Sequence, residues 1–267
     1  MSGKKVWVTW LPSGAGAPQP APALAALSGV GLAVSGAPWV DDLERAGWVE
    51  LADMLTGADR PDIFLVAGRQ ADFAQPRLRY GLSLVQLRLA AAGENAPVPV
   101  VLGLDGPPLA DADPWPTPFR RIHAVTADAN SPWAAKIVPF GFKKPMSAPT
   151  DYRLDIIAHE ALGQWLEVGP AAGQWDGAMI GVTGQDVAIE HHAVGPRGQL
   201  PERTTLEYAT QGIEADVAGE AYEIWSVQNR LTEADSYFVK VTGFPDRLVF
   251  AGYDGRSDGD VTVIALT

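Results

Sequence analysis

The stretch "PDIFLVAG", Pro61–Gly68, decides how this chain is read. A strand with one solvated face alternates apolar and polar residues. An unbroken apolar run closed by a turn residue belongs to a strand buried on both faces, in the middle of a parallel sheet with helices above and below. Downstream, "PRLRYGLSLVQLRLAAAG" (76–93) has helical texture, and "APVPVVLGLDG" (96–106) is a second buried run. Upstream, "WVDDLERAGWVELADMLTG" (39–57) has Asp41 or Asp42 near a helix start and Gly57 as a stop signal. Before it, "GVGLAVSG" (29–36) is an apolar run closed by Ser35-Gly36, and "KKVWVTW" (4–10) is a β-branched and aromatic strand leading through a Pro/Gly loop to a short helix. "IHAVTA" (122–127) and "AKIVPFGF" (135–142) read as weaker edge elements. Strands alternating with helices at this spacing predict an α/β domain, a doubly wound, mostly parallel sheet with right-handed crossovers, over residues 1–146.

The texture changes after "KKPMSAPTDY" (143–152), a Pro- and Ser-containing linker. One helix is predicted in "DIIAHEALGQWLEVG" (155–169). Beyond it come "GAMIGV", "DVAIEHHAV", "AYEIWSVQ", "SYFVKVTG", "DRLVFAGY" and "DVTVIAL", short alternating runs between Gly, Asn and Asp turns. This pattern predicts an acidic, β-rich antiparallel domain over 147–267, carrying that single helix.

Composition narrows the function classes. The chain has 267 residues, 47% of them hydrophobic, and no cysteine, which excludes disulfides, thiolate nucleophiles and thiolate zinc sites. Its net charge of −12 lies wholly in the second half: residues 1–150 carry 13 basic and 13 acidic groups, residues 151–267 carry 7 and 19. Such a surface repels phosphate backbones, so neither nucleic acid nor an anionic membrane is an expected partner. No run approaches the roughly 18 apolar residues of a membrane span or the core of a secretory signal, and the expected location is the cytoplasm. The neutral half gathers Arg69, Arg77, Arg79, Arg88, Arg120 and Arg121, leaving room for a small anion there.

Ligands of open parallel sheets bind beyond the carboxyl ends of the strands. On this reading those ends supply Ser13, Gly14 and Gly16, then Ser35 and Gly36, then Gly68 and Arg69, then Asp105. Small residues let a ligand approach the backbone, and Arg69 would meet a phosphate or carboxylate. The familiar phosphate loops fail: there is no Gly-Lys-Ser/Thr, and "LPSGAGAP" has one serine and a proline where a dinucleotide-binding helix would open.

The order of runs over residues 4–142, with "PDIFLVAG" followed by a helix and "VPVVLGL", resembles a TIR domain, one variant of the flavodoxin-like three-layer topology. In TIR enzymes that split NAD, a glutamate on the helix after the central strand carries catalysis. The matching helix here, "PRLRYGLSLVQLRLA", has no acidic residue, so the resemblance implies an interaction role without NAD hydrolysis.

Among the four histidines, His159-Glu160 fails the His-Glu-x-x-His zinc pattern because Gly163 stands at the second histidine. In "DVAIEHHAVGPRG" (186–198), strict strand alternation puts His191 beside Ile189 on the core side and His192 beside Glu190 in solvent. A metal on His192, Glu190 and His159, or calcium in the acidic loop Asp254–Asp260, is the minor alternative to plain strand and turn, and no metal or cofactor is expected. A Ser35–His123–Asp105 arrangement is the one nucleophilic set that residue types allow. The reading that follows is a non-catalytic protein binding a small ligand or a protein partner, with a hydrolase at the strand-end edge as first alternative and an assembly subunit or homo-oligomer as the second. Trp39, Trp115 and Trp133 fall near predicted loops and are candidate contact residues.

Overall fold

The computed structural model describes residues 3–12, 20–108, 114–120, 122–145, 150–253 and 261–267. Two compact units emerge: 1–42, 47–115 and 119–147 form the first, and 43–46, 116–118 and 148–267 the second. Among the described residues no helix is long and apolar enough to cross a membrane.

The first unit contains β1 (Lys5–Trp10), α1 (Ala21–Gly29), β2 (Ala33–Pro38), α2 (Trp48–Thr56), β3 (Ile63–Gly68), α3 (Gln70–Phe73), α4 (Pro76–Ala92), β4 (Val98–Gly103), β5 (His123–Thr126) and α5 (Trp133–Ile137). All strands pair in parallel in the order β2-β1-β3-β4-β5. As its unbroken apolar run predicts, β3 is central and buried at every position. One face of the sheet packs Val6, Val8, Ile63, Leu65, Val100 and Leu102 against Leu27 of α1 and Ile137 of α5. Right-handed crossovers send α2 and α4, which pack on one another, to the opposite face. "AKIVPFGF" is not an edge strand: it is α5 continued by a 3-10 turn over Val138–Phe142.

Three of the six arginines are engaged elsewhere, while Arg69 and Arg120 stay exposed and Arg121 lies outside the described residues. Arg79 is buried and donates from Nε to the Phe73 carbonyl at 2.7 Å. Arg77 pairs with Asp41 at 3.1 Å, and Arg88 with Asp53 at 3.9 Å.

The second unit contains β6 (Tyr152–His159), β7 (Gly163–Pro170), β8 (Gln174–Trp175), β9 (Ala178–Thr183), β10 (Ala188–Pro196), β11 (Thr210–Val217), β12 (Glu220–Val227), β13 (Leu231–Thr232), β14 (Asp235–Thr242), β15 (Arg247–Gly252) and β16 (Thr262–Ala265). Two antiparallel sheets, β10-β14-β7-β6 and β11-β12-β9-β15-β16, face each other, with Tyr152 against Phe250 and His192 against Trp225 bridging them edge to face.

The helix predicted in "DIIAHEALGQWLEVG" is instead the β6–β7 hairpin, in register from Tyr152↔Pro170 to His159↔Gly163. Its apolar residues fit a helix by spacing, but Leu154 and Ile156 on one strand face Val168 and Leu166 on the other. Only cross-strand pairing puts these four on one face, and Gly163 at φ 73° supplies the left-handed turn conformation that ends a helix.

A buried polar network crosses the outer face of this hairpin. Arg153 donates to the Pro170 carbonyl (2.8 Å), the Asp235 carbonyl (2.6 Å) and Ser236 Oγ (3.1 Å). Its guanidinium lies 3.6 Å from Glu167, whose Oε1 also accepts from Ser236 Oγ (2.7 Å) and the Gly198 N–H (2.8 Å). Gly169 leaves the path open, since a Cβ there would stand 2.5 Å from Arg153 Nη2.

Candidate functional site

The structure gathers part of the predicted strand-end edge. Gly68 closes β3, its carbonyl accepting from the Leu104 N–H at 2.9 Å, and Asp105 Oδ1 accepts from the Gln70 N–H at 3.1 Å. Gly68, exposed Arg69 and Asp105 therefore stand together beyond β3 and β4. Ser13, Gly14 and Gly16 lie outside the described residues.

Ser35 and Gly36 do not join them. They sit inside β2, opposite Trp7 and Val8 of β1, because the strand runs on to Pro38. Gly36 is a packing glycine: a Cβ there would stand 2.1 Å from the Val8 carbonyl oxygen. The Ser35–His123–Asp105 arrangement falls for a related reason. β2 and β5 are opposite edges of the sheet, about 19 Å apart at ordinary strand spacing, and the His123 ring instead stacks on Phe140 with centroids 4.2 Å apart.

Because β2 continues, what it delivers at its carboxyl end is Trp39, whose N–H donates to the Trp10 carbonyl at 2.9 Å. Trp39 lines a cleft of about 230 Å³ over the ends of β1 and β2, together with Trp7, Thr9, Trp48, Glu50 and Met54. Each has a local reason to be there. Trp7 and Thr9 share one face of β1, locked by a bond from Trp7 Nε1 to Thr9 Oγ1 at 3.1 Å. Trp48, Leu51 and Met54 are spaced at three residues on α2 and turn toward the same wall. Trp39 is 5% exposed and Trp48 2%, and the indole nitrogen of each is buried without a hydrogen-bond partner among the described residues. Three tryptophans around one mostly apolar cleft are the chemically distinctive feature of this unit. Sequence reasoning singled out Trp39 but missed Trp7 and Trp48, which look like ordinary strand and helix residues. Trp115, by contrast, packs on Phe73 and Phe119, and Trp133 packs against the sheet core.

The paired histidines reverse their expected places. A β-bulge between Ile189 and His191 inserts Glu190 as an extra residue, so Ile189 pairs with Val241 but His191 with Lys240. The alternation slips by one. His192 turns into the core, 8% exposed, while His191 faces out and Glu190 pairs with Lys240 at 3.0 Å. His192 Nδ1 lies 2.9 Å from Tyr237 Oη, and Nε2 lies 3.1 Å from Gln211 Nε2. With the amide nitrogen toward the ring, Gln211 donates to Nε2 and the neutral imidazole donates from Nδ1 to Tyr237. Burial pushes the Tyr237 hydroxyl far up, so it stays protonated. The His192–Glu190–His159 metal set is not assembled: β10 and β6 are opposite edges of their sheet, and His159 Nδ1 accepts the Ala161 N–H at 3.0 Å. The Asp254–Asp260 loop lies outside the described residues.

Burial, and then the charge of His191, lowers the His192 pKa from its ordinary 6.5. The unfolded chain takes up that proton near pH 6.5 and the folded chain only below it, so acidification through 6.5 favours unfolding. His123 is shifted the same way by burial and Lys143. The melting temperature of His192→Gln is therefore expected to fall less than that of the wild type between pH 8 and 5. Parallel profiles would refute the assignment.

No protein-family model and no curated protein matches this chain.

Proposed function

We propose that this is a non-catalytic binding protein whose α/β unit holds a small, flat ligand in the tryptophan cleft. The observation that carries the reading is the mostly apolar cleft of about 230 Å³ walled by Trp7, Trp39, Trp48 and Met54. A flat ring stacks on such aromatic walls, each ring pair contributing about 0.5–1.5 kcal/mol beyond the area it buries. The cleft lies below the ~300–1,000 Å³ of sites for drug-sized molecules, so one ring system fits it. It lies on the face of the carboxyl halves of β1 and β2, under α2 and next to the strand ends where open parallel sheets bind ligands. Glu50 on its wall favours a neutral or cationic ligand over the anion suggested by the arginine content.

The test is a titration of single-ring amides such as nicotinamide, with benzoate as the anionic control, followed by tryptophan fluorescence. A neutral amide is expected to bind and benzoate not to. Trp48→Phe is expected to weaken binding several-fold, because it shrinks the aromatic wall on which the ring stacks. A panel in which nothing binds, or binding that Trp39→Phe and Trp48→Phe leave unmoved, would overturn the proposal.

A further inference from the structure

The second unit carries a different surface, the outer edge of β11. This eight-residue strand pairs with β12 on one side, and on the other no backbone group of Thr210–Val217 has a partner among the described residues. Its residues are exposed or half-buried on both faces. An unpaired strand edge is a template for another strand, and proteins usually blunt it with Lys, Pro or a covering loop. The edge of the facing sheet shows such a cover: Thr204 Oγ1 accepts the Val194 N–H at 2.8 Å and donates to the Val194 carbonyl at 3.0 Å, standing in for a partner strand on β10. β11 has neither Lys nor Pro and, among the described residues, no such cover; a bulge between Thr210 and Ile213 leaves Ile213–Val217 as its regular open edge.

Charge identifies the occupant. Between Arg203 and Arg230 the chain has Glu207, Glu214, Asp216, Glu220 and Glu223 and no basic residue. Glu214 stands directly opposite Glu223, a like-charge cross-strand pair that disfavours the sheet unless a cation is near. Glu220 is answered by Arg247 at 3.3 Å, and Glu223 by the Ile189 N–H and Trp225 Nε1. Glu214 and Asp216 have no cation among the described residues. Beside them Ile213 is 39% exposed, an apolar contact for alternate side chains of an incoming strand.

We propose that β11 receives a basic, extended segment of a partner protein as an added strand, main chain to main chain, with Lys or Arg beside Glu214 and Asp216 and apolar residues between. A second copy of this chain is the poorer occupant, since β11 against itself would bring Glu214 and Asp216 near their equals.

The test uses the full chain, a blocked eight-residue alternating Lys-Val peptide, and its Glu-Val counterpart. The Lys-Val peptide is expected to bind, to slow hydrogen exchange at the β11 amides specifically, and to lose about tenfold in affinity between 50 and 300 mM salt. The exposed substitution Glu214→Lys is expected to weaken binding by at least about tenfold while leaving the melting temperature within a few degrees; Asp216 is kept because its Oδ1 accepts the Gly219 N–H at 3.0 Å in the β11–β12 turn. Equal binding of the Glu-Val peptide overturns the proposal. So does binding without protection of β11, which is surface charge attraction alone, or failure of the Lys-Val peptide to bind at millimolar concentration. Protection of β11 that depends on self-association instead assigns the edge to a second copy and also overturns it.

Discussion

Replacing Arg153 with methionine is expected to cost the second unit about 3–5 kcal/mol, or a fall in melting temperature of roughly 10–20 °C. The reason lies in what is left behind. Glu167 is 2% exposed and keeps only the donors of Ser236 and Gly198, both on Oε1, while Oε2 has no partner among the described residues. Without the guanidinium this is a buried carboxylate with no cation, and three bonds to Ser236 and the Pro170 and Asp235 carbonyls disappear with it. Removing the pair together, Arg153→Met with Glu167→Leu, is expected to return much of the loss, because two well-packed apolar residues need no desolvation of charge. Denaturant unfolding of the two variants checks both statements. An Arg153→Met protein within 1 kcal/mol of the wild type would show that the network is incidental to stability.

Trp48→Ala should be nearly as severe, at about 3–5 kcal/mol, because the ring is 2% exposed and its removal opens a large void between α2 and the sheet. Trp48→Phe separates stability from binding. It preserves most of the ring and deletes an N–H that has no acceptor among the described residues, so its stability is expected within about 1.5 kcal/mol of the wild type. Its affinity for a ring amide should nevertheless drop. Thermal melts of the two variants, read beside the fluorescence titration, decide the matter. If Trp48→Phe were as unstable as Trp48→Ala, the whole indole would be needed to pack α2 on the sheet, and the substitution would not separate stability from binding.

Much of the fold was legible in the chain because it depends on short-range periodicity. The unbroken apolar run at Ile63–Gly68 demands two covered faces, and the strand–helix alternation around it yields a parallel sheet. The short runs after Gly177, cut by Gly, Asn and Asp turns, point to antiparallel strands joined by tight connections. Patterns of this kind are properties of the segment itself.

Three features of the candidate sites were not legible, each decided by a neighbouring strand. Residues 155–169 satisfy a helical spacing, yet Ile156 gains more by meeting Leu166 across a hairpin. Ser35-Gly36 has the composition of a turn, but β1 offers a hydrogen-bonding edge alongside and extends β2 to Pro38, which moves the strand end to Trp39. His191 and His192 obey alternation until one extra residue against β14 exchanges their faces.

The sequence by itself determined the two-part architecture, the position of the acidic half and the failure of the familiar phosphate and zinc motifs. Only the tertiary structure decided which side chains meet: the tryptophans over β1 and β2, the neutral histidine between Tyr237 and Gln211, and the uncovered edge of β11. The physical reason is one of range. Side-chain period is set within a segment, whereas strand ends, bulges and open edges are set by hydrogen bonds to a strand that arrives from elsewhere in the chain.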